Sequence, residues 1–125
     1  MSNQVKRRVL GIVEDLLFTV KIADAAKRSG LEAQFAKTEA DAVAGVEQKP
    51  LLVILDLNIN FMDPIELIRK LKGGEGAKTS LVAFVSHVQG ELKQQAHDAG
   101  ADMVMARSAF STNLSQLLKR HAGSY

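Results

Sequence analysis

The 125-residue chain contains no cysteine. That excludes disulfides and any metal site built on thiolates, without naming a compartment. Long apolar runs are missing too: none approaches the roughly 20 residues needed to cross a bilayer. The N-terminal stretch Met1 to Arg8 is polar and basic and lacks the apolar core of a signal peptide. A cytoplasmic protein without a membrane partner is expected. No charge of one sign predominates, since 16 basic and 14 acidic residues leave a net charge of +2. Aromatic residues, 5% of the chain, are not interleaved with basic ones, so nucleic acid is not an expected partner. Lys6-Arg7-Arg8 is the one dense basic cluster, read as a solvated flank of the first strand rather than a contact surface. There is no internal repeat, low-complexity segment or phosphate-binding loop. One domain covering residues 1–125, with its core over about 9–120, is expected at this length.

What is present is a series of short aliphatic runs within a composition that is 46% hydrophobic. Leu51-Leu52-Val53-Ile54-Leu55 delivers Asp56 at its end, with Lys49-Pro50 before it and the polar Asn58 and Asn60 after it. A run of that kind fits a strand buried on both faces, the habit of parallel sheets. Asp56 then lies at the carboxyl end of the strand, on the edge where open α/β sheets bind ligands. The alternative there is an acid that merely caps the following turn.

Val9 to Val13 repeats the pattern and ends in Glu14-Asp15. Leu16, Val20, Ala23 and Ala26 recur at helical spacing, and Gly30 stops that helix. Leu31 to Ala36 is a weaker strand. Thr38 with Asp41 resembles a capping box for a helix that buries Ala42, Val43 and Val46 and ends before Pro50. Asp63 caps the next helix, with Pro64 at its first position and Glu66 completing the box, and Gly73, Gly74 and Gly76 break it. Leu81 to Val85 is a strand closing at Ser86-His87. A polar helix runs from there to Ala99, with Gly100 as its stop. Ala101 to Ala106 is the last strand and ends at Arg107-Ser108, and Ser111 caps a final helix with Leu114, Leu117, Leu118 and His121 on one stripe. Five strands alternating with five helices predict a doubly wound α/β fold: a five-stranded parallel sheet with helices on both faces.

That topology gathers Glu14, Asp15, Asp56, Ser86 and Arg107 at one edge. Three carboxylates meeting there either raise a pKa or take up a cation, and hard oxygen donors without cysteine point to Mg²⁺ rather than zinc. Ser86 supplies a hydroxyl and Arg107 a forked cation, the group types that hold a phosphoryl oxygen. Each also has a plainer reading, Ser86 as a turn residue and Arg107 as a fixed internal counter-ion. His97 and His121 are read as ordinary surface histidines.

Four separated motifs resemble response-regulator receiver domains: Val9 to Asp15, Leu51 to Asn58, Val85-Ser86-His87, and Ala99-Gly100-Ala101-Asp102 with a basic residue at the end of the last strand. The likeness runs from Val9 to Arg120. It implies a flavodoxin-like receiver fold in two-component signalling, with Asp56 as phospho-acceptor, Glu14 and Asp15 as the acidic pair around Mg²⁺, Asn58 completing the metal site through its carbonyl, and Ser86 as the switch hydroxyl. It implies a histidine kinase or phosphotransfer protein as donor, and, for a free-standing receiver or a fragment of a larger regulator alike, a downstream protein is the expected target. Such a protein is a switch and not a metabolic enzyme. The departures are Arg107 for a lysine, Ser108 for the proline whose cis peptide is typical, Val104 for an aromatic ring, His87 for a small residue, and Asn60 and Pro64 for the usual proline and glycine. The competing expectation is a pseudo-receiver, an interaction module with little or no phosphorylation. A small flavodoxin-like cofactor binder is a third, disfavoured by the missing phosphate loop and the acidic edge.

Overall fold

The computed structural model describes residues 7–74, 76–86 and 90–123. In chain order its elements are β1 (Arg8–Ile12), α1 (Leu16–Arg28), β2 (Glu32–Phe35), α2 (Glu39–Glu47), β3 (Leu52–Asp56), α3 (Pro64–Lys72), β4 (Ser80–Val85), α4 (Gly90–Ala99), β5 (Met103–Ala106) and α5 (Arg107–His121). The strands pair in parallel in the order β2-β1-β3-β4-β5, so the expected sheet is present. The strand order reverses between β1 and β3: β2 is added on one side of β1, and β3, β4 and β5 follow on the other. The crevice outside the carboxyl ends of these two strands is where a doubly wound sheet opens a site.

Two apolar layers enclose the sheet. Alternate residues of β3 feed them, Val53 and Leu55 joining the layer under α2, α3 and α4, Leu52 and Ile54 the layer under α1 and α5. Asp56 has the parity of Leu52 and Ile54 and therefore turns toward α1 and α5. Thr38 and Asp63 cap as expected: Thr38 Oγ1 accepts from the Asp41 N–H at 3.0 Å, and Asp63 Oδ1 from the Ile65 and Glu66 N–H groups at 3.0 and 3.2 Å. Gly30, at φ 75°, ends α1 in the left-handed region that a side chain resists, and the Leu31 N–H returns to the Ala26 carbonyl at 2.8 Å.

Two expectations are corrected. The buried stripe of α1 is Phe18, Ile22, Ala25 and Ala26, while Leu16 and Val20 are 75% and 57% exposed. Two apolar phases compete along this helix, and the one carrying Phe18 and Ile22 removes more area from water. Helix α5 begins at Arg107 rather than behind Ser111, with Ala106 as an N-cap that makes no side-chain capping bond. Phe110 extends the buried stripe of Leu114, Leu117 and Leu118 one turn back, which carries the helix with it. Ser111 Oγ instead meets Lys21 Nζ at 3.0 Å. Among the described residues no peptide bond is cis.

Asp102, part of the fourth motif, serves the opposite edge. Its Oδ2 accepts from the Leu81 N–H at 2.8 Å and from Lys72 Nζ at 2.9 Å, and that ammonium also reaches the Thr79 carbonyl at 2.7 Å. The clasp joins the end of α3 to the starts of β4 and β5.

Candidate functional site

Asp56 is 3% exposed and, among the described residues, is the one buried charged side chain. Its strand register sets it beside Phe84 of β4. Its Oδ1 accepts the Asn58 N–H at 2.8 Å, and its Oδ2 faces Arg107 Nη2 at 3.6 Å. Burial pushes the Asp56 carboxyl above the ordinary aspartate value; the Asn58 N–H and the Arg107 charge pull it back, while the Asp15 and Glu14 charges push it further up.

Asp15 stands at the N-terminus of α1 and does two things with one carboxylate. Oδ1 caps the helix by accepting from the Leu17 N–H at 2.8 Å, and Oδ2 lies 3.8 Å from Arg107 Nη1. One guanidinium thus bridges two carboxylates through different nitrogens. Both separations lie within ion-pair range but beyond the 2.7–3.2 Å of an N–H···O hydrogen bond.

Glu14 is exposed, and its Oε1 accepts the Asn60 N–H at 2.9 Å. It ties the loop after β1 to the loop after β3. Among the described residues no three acidic or histidine side chains stand together as a metal-holding group. The sequence pattern put three carboxylates in convergence; the structure brings Asp15 and Asp56 to a common cation and commits Glu14 to a backbone amide. Asn58 links the acceptor loop to the end of β4, its Oδ1 accepting the Ser86 N–H at 2.8 Å. His87 lies outside the described residues.

The donor set still fits a hard divalent ion. Asp15 Oδ2 and Asp56 Oδ2 both look toward the same positive group, which marks the space between them as one that favours a cation. Both are hard carboxylate oxygens of the kind Mg²⁺ takes.

What sequence patterns did not reveal is the surface under Arg107. The rings of Phe18, Phe84 and Phe110 stack at centroid separations of 5.1, 6.1 and 4.6 Å. The Arg107 guanidinium carbon sits 4.9 Å from the Phe18 centroid and 5.8 Å from that of Phe84. Phe18 lies three residues past Asp15, the N-cap of its helix, and that spacing was the one signal available.

No protein-family model matches the sequence, and no curated protein matches it either. Solved structures do resemble it. A CheY-like response-regulator receiver domain protein from Methanospirillum hungatei JF-1 has a TM-score of 0.79 at 18% identity, over 94% of each chain. A response regulator from Thermotoga maritima has a TM-score of 0.77 at 21% identity, over 96% of this chain and 100% of that one. The receiver domain of a sensor histidine kinase from Pseudomonas aeruginosa PAO1, solved with a magnesium ion coordinated in its active-site cleft, has a TM-score of 0.78 at 17% identity over 96% and 100%. With the sheet order, the five flanking helices and the acid at the switch point, these likenesses show that the chain has the CheY-like receiver fold.

Proposed function

We propose that this chain is a receiver in two-component signalling that accepts a phosphoryl group on Asp56 from a histidine kinase or a phosphotransfer protein. The observation that carries the reading is the buried Asp56 carboxylate at the switch point, facing a cation from the first residue of α5. Oδ1 is engaged by the Asn58 N–H, so Oδ2 is the nucleophile. It attacks the phosphorus of a phosphohistidine, the P–O bond forms as the P–N bond breaks, and the P–N electron pair leaves with the imidazole. The product is an acyl phosphate.

Arg107 offers the incoming phosphoryl oxygens a fixed positive charge and N–H donors that no carboxylate yet holds by a hydrogen bond. Mg²⁺ bound near Asp15, Asp56 and Asn58 supplies further charge neutralisation. Asn58 carries the event outward, because it holds Asp56 Oδ1 with its N–H and the Ser86 N–H with its side chain. Ser86 then presents its hydroxyl to the phosphoryl group. Val104, packed in the layer under α4, has no ring to follow that hydroxyl, so the change is confined to the loops after Asp56 and Ser86. A downstream protein recognises it. The chain acts in the cytoplasm as a switch and not as a metabolic enzyme; no helix of the described residues is long and apolar enough to cross a membrane.

Incubation with a phosphohistidine-bearing donor and Mg²⁺ should place a hydroxylamine-sensitive phosphoryl label on the wild type and none on Asp56→Asn. A label that persists in Asp56→Asn would move the acceptor elsewhere. A wild type that no donor labels would leave an interaction module.

A further inference from the structure

A guanidinium between two carboxylates ordinarily closes on one or both, making charge-assisted bonds at about 2.7–2.9 Å. Arg107 does not: its terminal nitrogens stop at 3.8 Å from Asp15 and 3.6 Å from Asp56, and its buried Nε has no hydrogen-bond partner. The carboxylates alone do not account for that position. The group lies over the ring of Phe18, 4.9 Å from its centroid, with Phe84 at 5.8 Å. A planar delocalised cation gains from an aromatic face in a way that a compact ammonium matches less well. Phe18 is itself fixed, 6% exposed and stacked on two rings that are fully buried. A second cation, Lys21 Nζ, stands 5.6 Å from the same centroid.

We propose that Phe18 is a positioning residue for Arg107: its ring, backed by Phe84 and Phe110, seats the guanidinium and holds it short of hydrogen-bond contact with Asp15 and Asp56. The seat keeps the Asp56 Oδ2 open to an electrophile while leaving the positive charge beside it. As regards phosphoryl transfer the proposal rests on the function proposed above; as regards the seat itself it stands on the geometry alone.

The test replaces Phe18 by pentafluorophenylalanine, which keeps the shape of the ring and reverses its quadrupole, with Phe18→Tyr as the conservative variant. The first readout is the NMR signal of the Arg107 Nε–H, assigned by its loss in Arg107→Lys. In the wild type it should be shifted upfield by the ring and should stay there in Phe18→Tyr. In the fluorinated protein it should move downfield as the guanidinium closes on the carboxylates. The second readout is the rate of Mg²⁺-dependent modification by a small phosphodonor, which should fall by about 2- to 30-fold in the fluorinated protein and be kept in Phe18→Tyr. An Arg107 signal that is the same in all three proteins overturns the proposal and leaves Phe18 as core packing. If the wild type is not modified at all, the function proposed above fails, and the NMR readout still decides the seat.

Discussion

The guanidinium of Arg107 and the carboxylate of Asp56 face each other at 3.6 Å, near enough to share charge and too far to share a hydrogen bond. Asp56 is almost wholly withdrawn from water, so its partial compensation governs both the stability of the fold and the chemistry of the edge.

Burial raises the Asp56 carboxyl above its ordinary value of 3.8. The folded state therefore binds that proton more tightly than the unfolded chain does. The resulting stabilisation is fully present below 3.8 and is lost as pH rises through the folded value. At neutral pH the ionised side chain is a net cost. Asp56→Asn keeps an acceptor for the Asn58 N–H and removes the charge, so its thermal midpoint at neutral pH should exceed that of wild type by a few degrees, on the order of 2–8 °C. The difference should shrink in acid, where wild type is protonated too. A lower midpoint for Asp56→Asn at neutral pH would mean that the attraction of Arg107 outweighs burial.

Mg²⁺ should stabilise the wild type by linkage, because it binds the assembled oxygens and not the unfolded chain. A free concentration ten times the dissociation constant adds about 1.4 kcal/mol. Thermal scans with and without excess Mg²⁺ check this, and the shift should vanish in Asp56→Ala. Equal midpoints in wild type would remove the metal from the account.

The register of α1 is tested by two substitutions. Ile22→Ala opens a cavity in the layer between α1, α5 and the sheet and should cost about 2–5 kcal/mol. Val20→Gln lies on the exposed face and should stay within about 0.5 kcal/mol. Denaturant midpoints that rank the two the other way would restore the phase suggested by Leu16 and Val20.

Arg107→Lys should be modified by a small phosphodonor several-fold more slowly than wild type, since a compact ammonium is held less well by the Phe18 face and is free to close on Asp15 and Asp56. A rate above that of wild type would mean that the guanidinium, at 3.6 Å from Asp56, already obstructs the acceptor.

The strands and the acidic edge were legible because burial on both faces leaves unbroken aliphatic runs, and Asp56 ends the clearest of them, Leu51 to Leu55. Caps at Thr38 and Asp63 were legible because capping is local. Helix phase was not: Leu16-Leu17-Phe18 offers apolar residues on several sides, and only the rings waiting at Phe84 and Phe110 choose among them. The start of α5 was hidden for the same reason, since Ser111 looks like a cap and only the burial of Phe110 draws the helix back to Arg107. Glu14 and Asp15 read as a pair, but their division of labour depends on the Asn60 and Leu17 amides, which any sequence would have supplied.

The most direct measurement is an intact-mass time course with Mg²⁺ and a small-molecule phosphodonor on wild type and Asp56→Asn. The wild type should gain the mass of one phosphoryl group, only with Mg²⁺, and Asp56→Asn should gain nothing. A wild type that stays unmodified, or an Asp56→Asn that gains the same mass, contradicts the assignment of Asp56 as acceptor.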